Sequence, residues 1–287
     1  MRVVDDCGAD DCEFADWARL MKLSEIRQTR NPWAIAGLLI AAQLVQIFVI
    51  SWLPIFNWDS QSNWPVYEYR MISVALSVGL VWVFAPYALK MFRFRVGGYP
   101  KIFTTGIFLA LFAASLIYGA IQSYPVIATL DAAIFSLFIG LDEEFFNRVF
   151  VFGILQRFGF EIALTVSALI FGAAHFTNFI YGDESFNYVL GHVISAAGFG
   201  YFMAVLMYVT GSVWVPVALH GLTDLRWVTM DMSDYSTIVS GGTNWISVLF
   251  ATTVFIGLSR ITLALHHDRL HPPKSWMGTL RWFGLVE

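Results

Sequence analysis

Charge is scarce in this sequence. Asp, Glu, Lys and Arg make up 13% of its 287 residues, against about 25% in an ordinary soluble domain. That shortfall excludes a water-covered globule, whose surface needs charge to stay in solution. Cysteine is nearly absent as well. Cys7 and Cys12 stand in the N-terminal tail with no His or further Cys beside them, which favours two ordinary thiols over a metal or redox site. The first 30 residues mix both signs of charge and hold no early apolar run, so they do not read as a cleaved signal. Residues 13–27 read instead as a short amphipathic surface helix. A net charge of −4 excludes the basic character of a nucleic-acid binder.

What fills the sequence is apolar and aromatic: 57% hydrophobic residues, with 11 Trp and 26 Phe. A membrane-crossing helix needs about 20 predominantly apolar residues. Charge-poor runs of that size occur near 33–55, 71–91, 102–122, 126–156, 161–181, 188–209, 213–230 and 244–264. The expected fold is therefore all-α, a polytopic bundle of about eight transmembrane helices over residues 31–265. Lys and Arg gather on the cytoplasmic side of a membrane. Here they sit before the first run (Arg27, Arg30), after the second (Lys90, Arg93, Arg95, Lys101), after the fourth (Arg157) and after the last (Arg269, Lys274, Arg281). The intervening loops have none. Arg70 and Arg226, at the edges of runs, blur the pattern. The alternation predicts cytoplasmic tails at 1–30 and 266–287. Trp33, Trp52, Trp58, Trp64 and Trp214 read as interfacial anchors.

Ionisable side chains inside a span are costly and mark function by default. They concentrate in the second half: Asp142, Glu143, Glu144, Asn147 and Arg148 in the fourth run, His175 in the fifth, His192 in the sixth, His220 and Asp224 in the seventh. The first three runs and the eighth carry almost nothing comparable, so a wet cavity is expected among the fourth to seventh runs. Residues four apart share a helix face, so Glu144 reaches Arg148 as a buried ion pair, and Glu143 turns about 100° away toward Asn147. That leaves Glu143 the less compensated carboxylate and a candidate general base. Phe171 and His175 share a face, as do His220 and Asp224, where the Asp can orient the imidazole. Two His and one Glu from three helices could equally bind a metal such as zinc, although HExxH is absent. His192 reads as packing, Gly198 and Gly200 as points of close helix approach, and His266, His267 and His271 as a solvated tail.

Three ordered motifs resemble the family of CAAX protease and bacteriocin-processing intramembrane peptidases, also called the CPBP or ABI family. Leu-Asp-Glu-Glu-Phe-Phe-Asn-Arg (141–148) looks like its EExxxR motif, Phe-Gly-Ala-Ala-His (171–175) like FxxxH, and 210–224, ending in His220 and Asp224, like TGSxWxPxxxHxxxN/D. The resemblance implies a peptidase-like core at about 126–230. It implies that Glu143 and His175 activate water, that His220 and Asp224 stabilise the oxyanion, and that Glu144 and Arg148 support them; Asn147 and Phe171, by their shared helix faces, read as further supporting residues. The family's last motif often ends in Asn, which donates a hydrogen bond at any pH. Asp224 donates only when protonated, and otherwise orients His220. The expected activity is endoproteolysis by glutamate- and histidine-activated water, requiring no cofactor. The alternative is a metallopeptidase using zinc on Glu143, His175 and His220. Expected partners are the lipid bilayer and a peptide or protein substrate, membrane-bound or lipidated, with no nucleic acid. The expected location is a bacterial inner membrane. The competing readings are a non-catalytic scaffold or immunity protein and a proton-coupled transporter. The lack of similarity between residues 30–125 and 140–265 counts against the transporter.

Overall fold

The computed structural model describes residues 32–51, 64–92, scattered positions between 106 and 121, and residues 126–181, 184–228, 240 and 242–267. Cys7, Cys12, the 13–27 helix, His271 and most of the 102–122 run lie outside the described residues, as do the side chains of Trp33, Trp52, Trp58, Trp64, Arg157 and Arg226.

The described elements are helical throughout. Helix α1 spans Pro32–Ser51 and α2 Trp64–Phe84, followed by a tight 3-10 turn at Pro86–Phe92. Helix α3 runs Val126–Glu144, widens into a π-helical turn at Phe145–Val151, and continues through the short α4, Phe152–Leu155, and a 3-10 turn at Gln156–Phe158. Then come α5 (Phe160–Ala174), α6 (Thr177–Tyr181), α7 (Phe186–Thr210), α8 (Trp214–Val228) and α9 (Trp245–His267). Closing every backbone group inside its own helix is what an apolar solvent demands. By length and composition, four stretches among the described residues suit a membrane crossing: Tyr67–Phe84, Phe160–Ile180, Phe186–Thr210 and Trp245–Ala264. The large apolar side chains left outside, such as Ile246 at 83%, Phe250 at 70% and Trp82 at 69% exposure, suit lipid contact.

Two boundaries differ from the sequence expectation. The second run begins seven residues earlier, at Trp64, because Glu68 and Arg70 lie in the helix rather than in the loop before it. The fifth run breaks after Ala174. His175 takes a turn conformation before α6 resumes, so the chain bends where a functional side chain sits.

Helix α3 packs on α8, α5 on α7, and α7 on α9. Glycine sets the closest of these approaches. A Cβ on Gly140 of α3 would stand 2.7 Å from the Val217 carbonyl oxygen and 3.0 Å from the Gly221 nitrogen of α8. A Cβ on Gly200 would meet the Phe171 ring at 2.7 Å and Arg148 at 2.9 Å, and one on Gly198 would meet Thr252 at 2.9 Å. The α7–α8 corner turns on Gly211, at φ 68°. It is tied down across the bundle: the Val213 N–H donates to the Met91 carbonyl at 2.8 Å, and the Trp214 indole N–H to the Phe92 carbonyl at 2.7 Å. Trp214 also packs edge-on against Phe145. It is half-buried, with its one donor satisfied inside the protein. His266 is part of α9, with its ring 5.9 Å from Tyr208, rather than part of a solvated tail.

Candidate active site

Three consecutive carboxylates end α3. Successive helical residues rotate by about 100°, so Asp142, Glu143 and Glu144 fan out toward different walls, and only Glu143, in the middle, shares a partner with each neighbour.

Asp142 faces α1 and α2. Arg70 Nη1 donates to its Oδ2 at 2.7 Å. Ser73 Oγ and Gln46 Nε2 donate to its Oδ1, the latter at 3.3 Å. Gln46 also reaches Ser73 and Ser77. Glu144 faces the other way. Its Oε2 accepts from Arg148 Nε at 2.8 Å, as the four-residue spacing predicts. Its Oε1 lies 2.8 Å from His220 Nδ1. Glu144 and Arg148 are completely buried, and the Arg148 guanidinium lies 4.6 Å over the Phe171 ring. Such a pair endures only because its charges are mutually satisfied.

Glu143 stands between these two sets. Its Oε1 is 3.5 Å from Arg70 Nη1 and its Oε2 3.7 Å from His220 Nε2. Its side chain is 25% exposed, against 6% for Asp142 and 0% for Glu144. Of the three, Glu143 is the most exposed. It lines a cavity of about 180 Å³, together with His175, Asn147, Phe171, Arg70 and Gln46. That volume accommodates several waters, each of which occupies about 30 Å³ in the liquid. Asp142 borders the same cavity but is held by Arg70, Ser73 and Gln46, and Glu144 does not reach it.

The two imidazoles are oriented from behind. A carbonyl oxygen can only accept, so His175 Nδ1, 3.0 Å from the Phe171 carbonyl, carries the hydrogen. Its Nε2 is then the acceptor in the neutral ring. A carboxylate likewise fixes hydrogen on His220 Nδ1, leaving Nε2 toward Glu143 and toward Asp224 Oδ2, at 3.5 Å. The Phe171 ring makes edge contacts with both rings, at 5.0 Å from His175 and 5.7 Å from His220. His192, which reads from the sequence as packing, has its ring 4.6 Å from His175, directly behind a candidate site residue.

Three sequence expectations need correction. This cavity draws on the fourth and fifth runs but not on the sixth and seventh, so neither His220 nor Asp224 lines it. It lies among α1, α2, α3, α5 and α6, because the broken end of α5 turns His175 toward the N-terminal helices. Those helices are not chemically bland, since they contribute Gln46, Arg70 and Ser73. Arg70 reads from the sequence only as a topological signal, yet a guanidinium one turn inside an apolar run is a usable sign of a buried partner. Asn147 shares the side of Glu143, but its amide donates to the Glu143 main-chain carbonyl at 2.9 Å and not to the carboxylate. The π-helical turn widens the backbone there. Among the described residues, no three His, Cys, Asp or Glu side chains gather closely enough to hold a metal ion.

An apolar outer surface around an inward-facing set of acids and imidazoles defines a helical integral membrane protein whose ionisable side chains are kept inside the bundle. Over residues 125–226, about a third of the chain, the sequence matches the family model described as Type II CAAX prenyl endopeptidase Rce1-like. The matched segment carries all three motifs, so the resemblance to the CAAX protease family is borne out there, and at that level the family supports an intramembrane protease. Comparison with curated proteins and with solved structures gives no match.

Proposed function

We propose that the protein is an intramembrane endopeptidase in which Glu143 activates water against a peptide bond. The observation that carries this reading is the position of Glu143. It is the most exposed carboxylate of its cluster and lines the cavity with His175, whereas Asp142, which also borders the cavity, has both oxygens engaged by Arg70, Ser73 and Gln46; His220 Nε2 lies 3.7 Å from Glu143.

A water in the cavity attacks the scissile carbonyl carbon and gives its proton to the Glu143 carboxylate, with His175 Nε2 as a second acceptor that orients it. The carbonyl oxygen becomes an oxyanion facing His220 Nε2 and Asp224. Glu144 holds His220 by its other nitrogen and so aims Nε2, which donates to the oxyanion when the ring is the doubly protonated imidazolium. Removing one such donor typically lowers the rate by about 10²–10³. Collapse of the tetrahedral intermediate breaks the C–N bond, and the proton held by Glu143 passes to the leaving nitrogen, giving a carboxylate and an amine. Asp224 acts in one of two ways: protonated, as a second donor to the oxyanion, or ionised, as the partner that orients His220. The zinc reading has no cluster of three His, Cys, Asp or Glu among the described residues to rest on.

The family description makes a prenylated peptide with a CAAX end the first substrate to try, and an unprenylated membrane peptide the second. Eight spans, cytoplasmic termini and a bacterial inner membrane complete the proposal. Reporter fusions at both termini test the topology.

Wild type and Glu143→Ala, purified in the same detergent, should be compared on quenched fluorescent peptides of both kinds. Cleavage by the wild type and none by the variant, with equal unfolding temperatures, supports the reading. Equal cleavage by both refutes the role of Glu143. No cleavage of either peptide by the wild type favours the scaffold or transporter alternatives.

A further inference from the structure

The matched segment does not contain the whole site. Gln46, Arg70 and Ser73 lie outside residues 125–226, and Arg70 is the cation nearest the outer oxygen of Glu143. We infer that Arg70, clamped by Asp142, is a positioning residue that holds the Glu143 carboxylate in its attacking orientation, so that α1 and α2 are a working part of the site. This rests on the peptidase reading above.

The geometry is that of a strut. Arg70 Nη1 touches two carboxylates from adjacent residues, Asp142 at 2.7 Å and Glu143 at 3.5 Å. Asp142 cannot itself serve as the base. One of its oxygens accepts from Arg70 and the other from Ser73 and Gln46, and the carboxylate is almost fully buried. Its bonds hold the guanidinium in place, and a planar guanidinium keeps the angle it is given. Glu143 is then strung between two fixed points, Arg70 on one oxygen and His220 on the other. A long acidic side chain with 25% exposure would otherwise sample several rotamers. Misplacing a reacting group by about 1 Å can cost about 10²-fold in rate.

The test must separate positioning from scaffolding. Removing one charge leaves its buried partner unpaired and destabilises the fold, whereas removing both is often neutral. The primary variant is therefore the double Arg70→Met/Asp142→Asn, in which the new amide at position 142 still bonds Ser73 and Gln46. It is compared with wild type in detergent, on a quenched farnesylated CAAX peptide, with thermal unfolding measured alongside. The expected result is an unfolding temperature close to wild type, kcat lower by about 10²-fold, and KM within about threefold. Arg70→Lys, whose shorter reach and lack of a planar fork loosen its hold on the two carboxylates, should fall between the two in kcat. A folded double variant with wild-type kcat overturns the inference, as does a loss confined to KM. If the double variant does not fold, Arg70→Lys carries the test: a folded protein with reduced kcat supports the strut, and one with wild-type kcat overturns it. A wild type that leaves the peptide uncut overturns the peptidase reading and this inference with it. An active wild type matched by equally active variants sinks only the role of Arg70.

Discussion

Replacing Glu144 with Ala should unfold the bundle before it reveals anything about catalysis. Glu144 is fully buried and makes two bonds of 2.8 Å, one to Arg148 Nε and one to His220 Nδ1. Arg148 is equally buried, and its Nη1 and Nη2 have no hydrogen-bond partner of their own. Without Glu144 its charge is left with the Phe171 ring face and the unbonded attraction of Glu143. Breaking a buried pair from one side costs about 3–5 kcal/mol, and the lost bond to His220 adds about 1 kcal/mol or more. The assay is thermal unfolding of purified protein in one detergent, with peptide cleavage measured well below the transition. Glu144→Ala should show a markedly lower transition. The double Glu144→Leu/Arg148→Met, which removes both charges, should recover most of the lost stability. It should not recover activity, because His220 still lacks the partner that fixes its Nδ1 hydrogen. The reasoning is refuted if Glu144→Ala unfolds with the wild type and yet cuts nothing. In that case Glu144 acts chemically and the roles of Glu143 and Glu144 exchange.

Other outcomes follow from single contacts. Glu143→Asp shortens the side chain that spans from Arg70 to His220, so kcat should fall by at least roughly tenfold with unfolding unchanged; a wild-type kcat argues against a positioned base. Gly140→Ala drives a Cβ into the backbone of α8 at 2.7 Å, and should cost about 1–3 kcal/mol. An unfolding curve identical to wild type would show that α3 and α8 have room to separate. Trp214→Phe keeps most of the ring packing on Phe145 and loses the 2.7 Å bond to the Phe92 carbonyl. Thermal unfolding should report a loss of about 0.5–1.5 kcal/mol, and no loss would mean that water satisfies that carbonyl.

The helical, membrane-spanning character of the chain is legible from composition alone, because a charge-poor sequence with runs of about 20 apolar residues has few other ways to satisfy its backbone. The Glu144–Arg148 pair is legible for a related reason: both residues belong to one continuous helical stretch, where a spacing of four fixes proximity. The same local rule places His220 above Asp224 and Phe171 beside His175. What local rules miss is everything that depends on which helices meet. Nothing local to Arg70 tells that its guanidinium crosses to Asp142, 72 positions away, and nothing around Glu144 announces His220, 76 positions away.

Sequence by itself therefore determined which side chains are too polar for lipid and must turn inward. Periodicity and solvation energy are properties of each segment alone, and they suffice for that. Only the tertiary structure decided their partners. The break after Ala174 swings His175 toward α1 and α2, and the α3–α8 contact across Gly140 and Gly221 brings His220 onto Glu144. Both outcomes depend on how helices pack, and the close approach of two backbones is set by all the residues between them rather than by any one run.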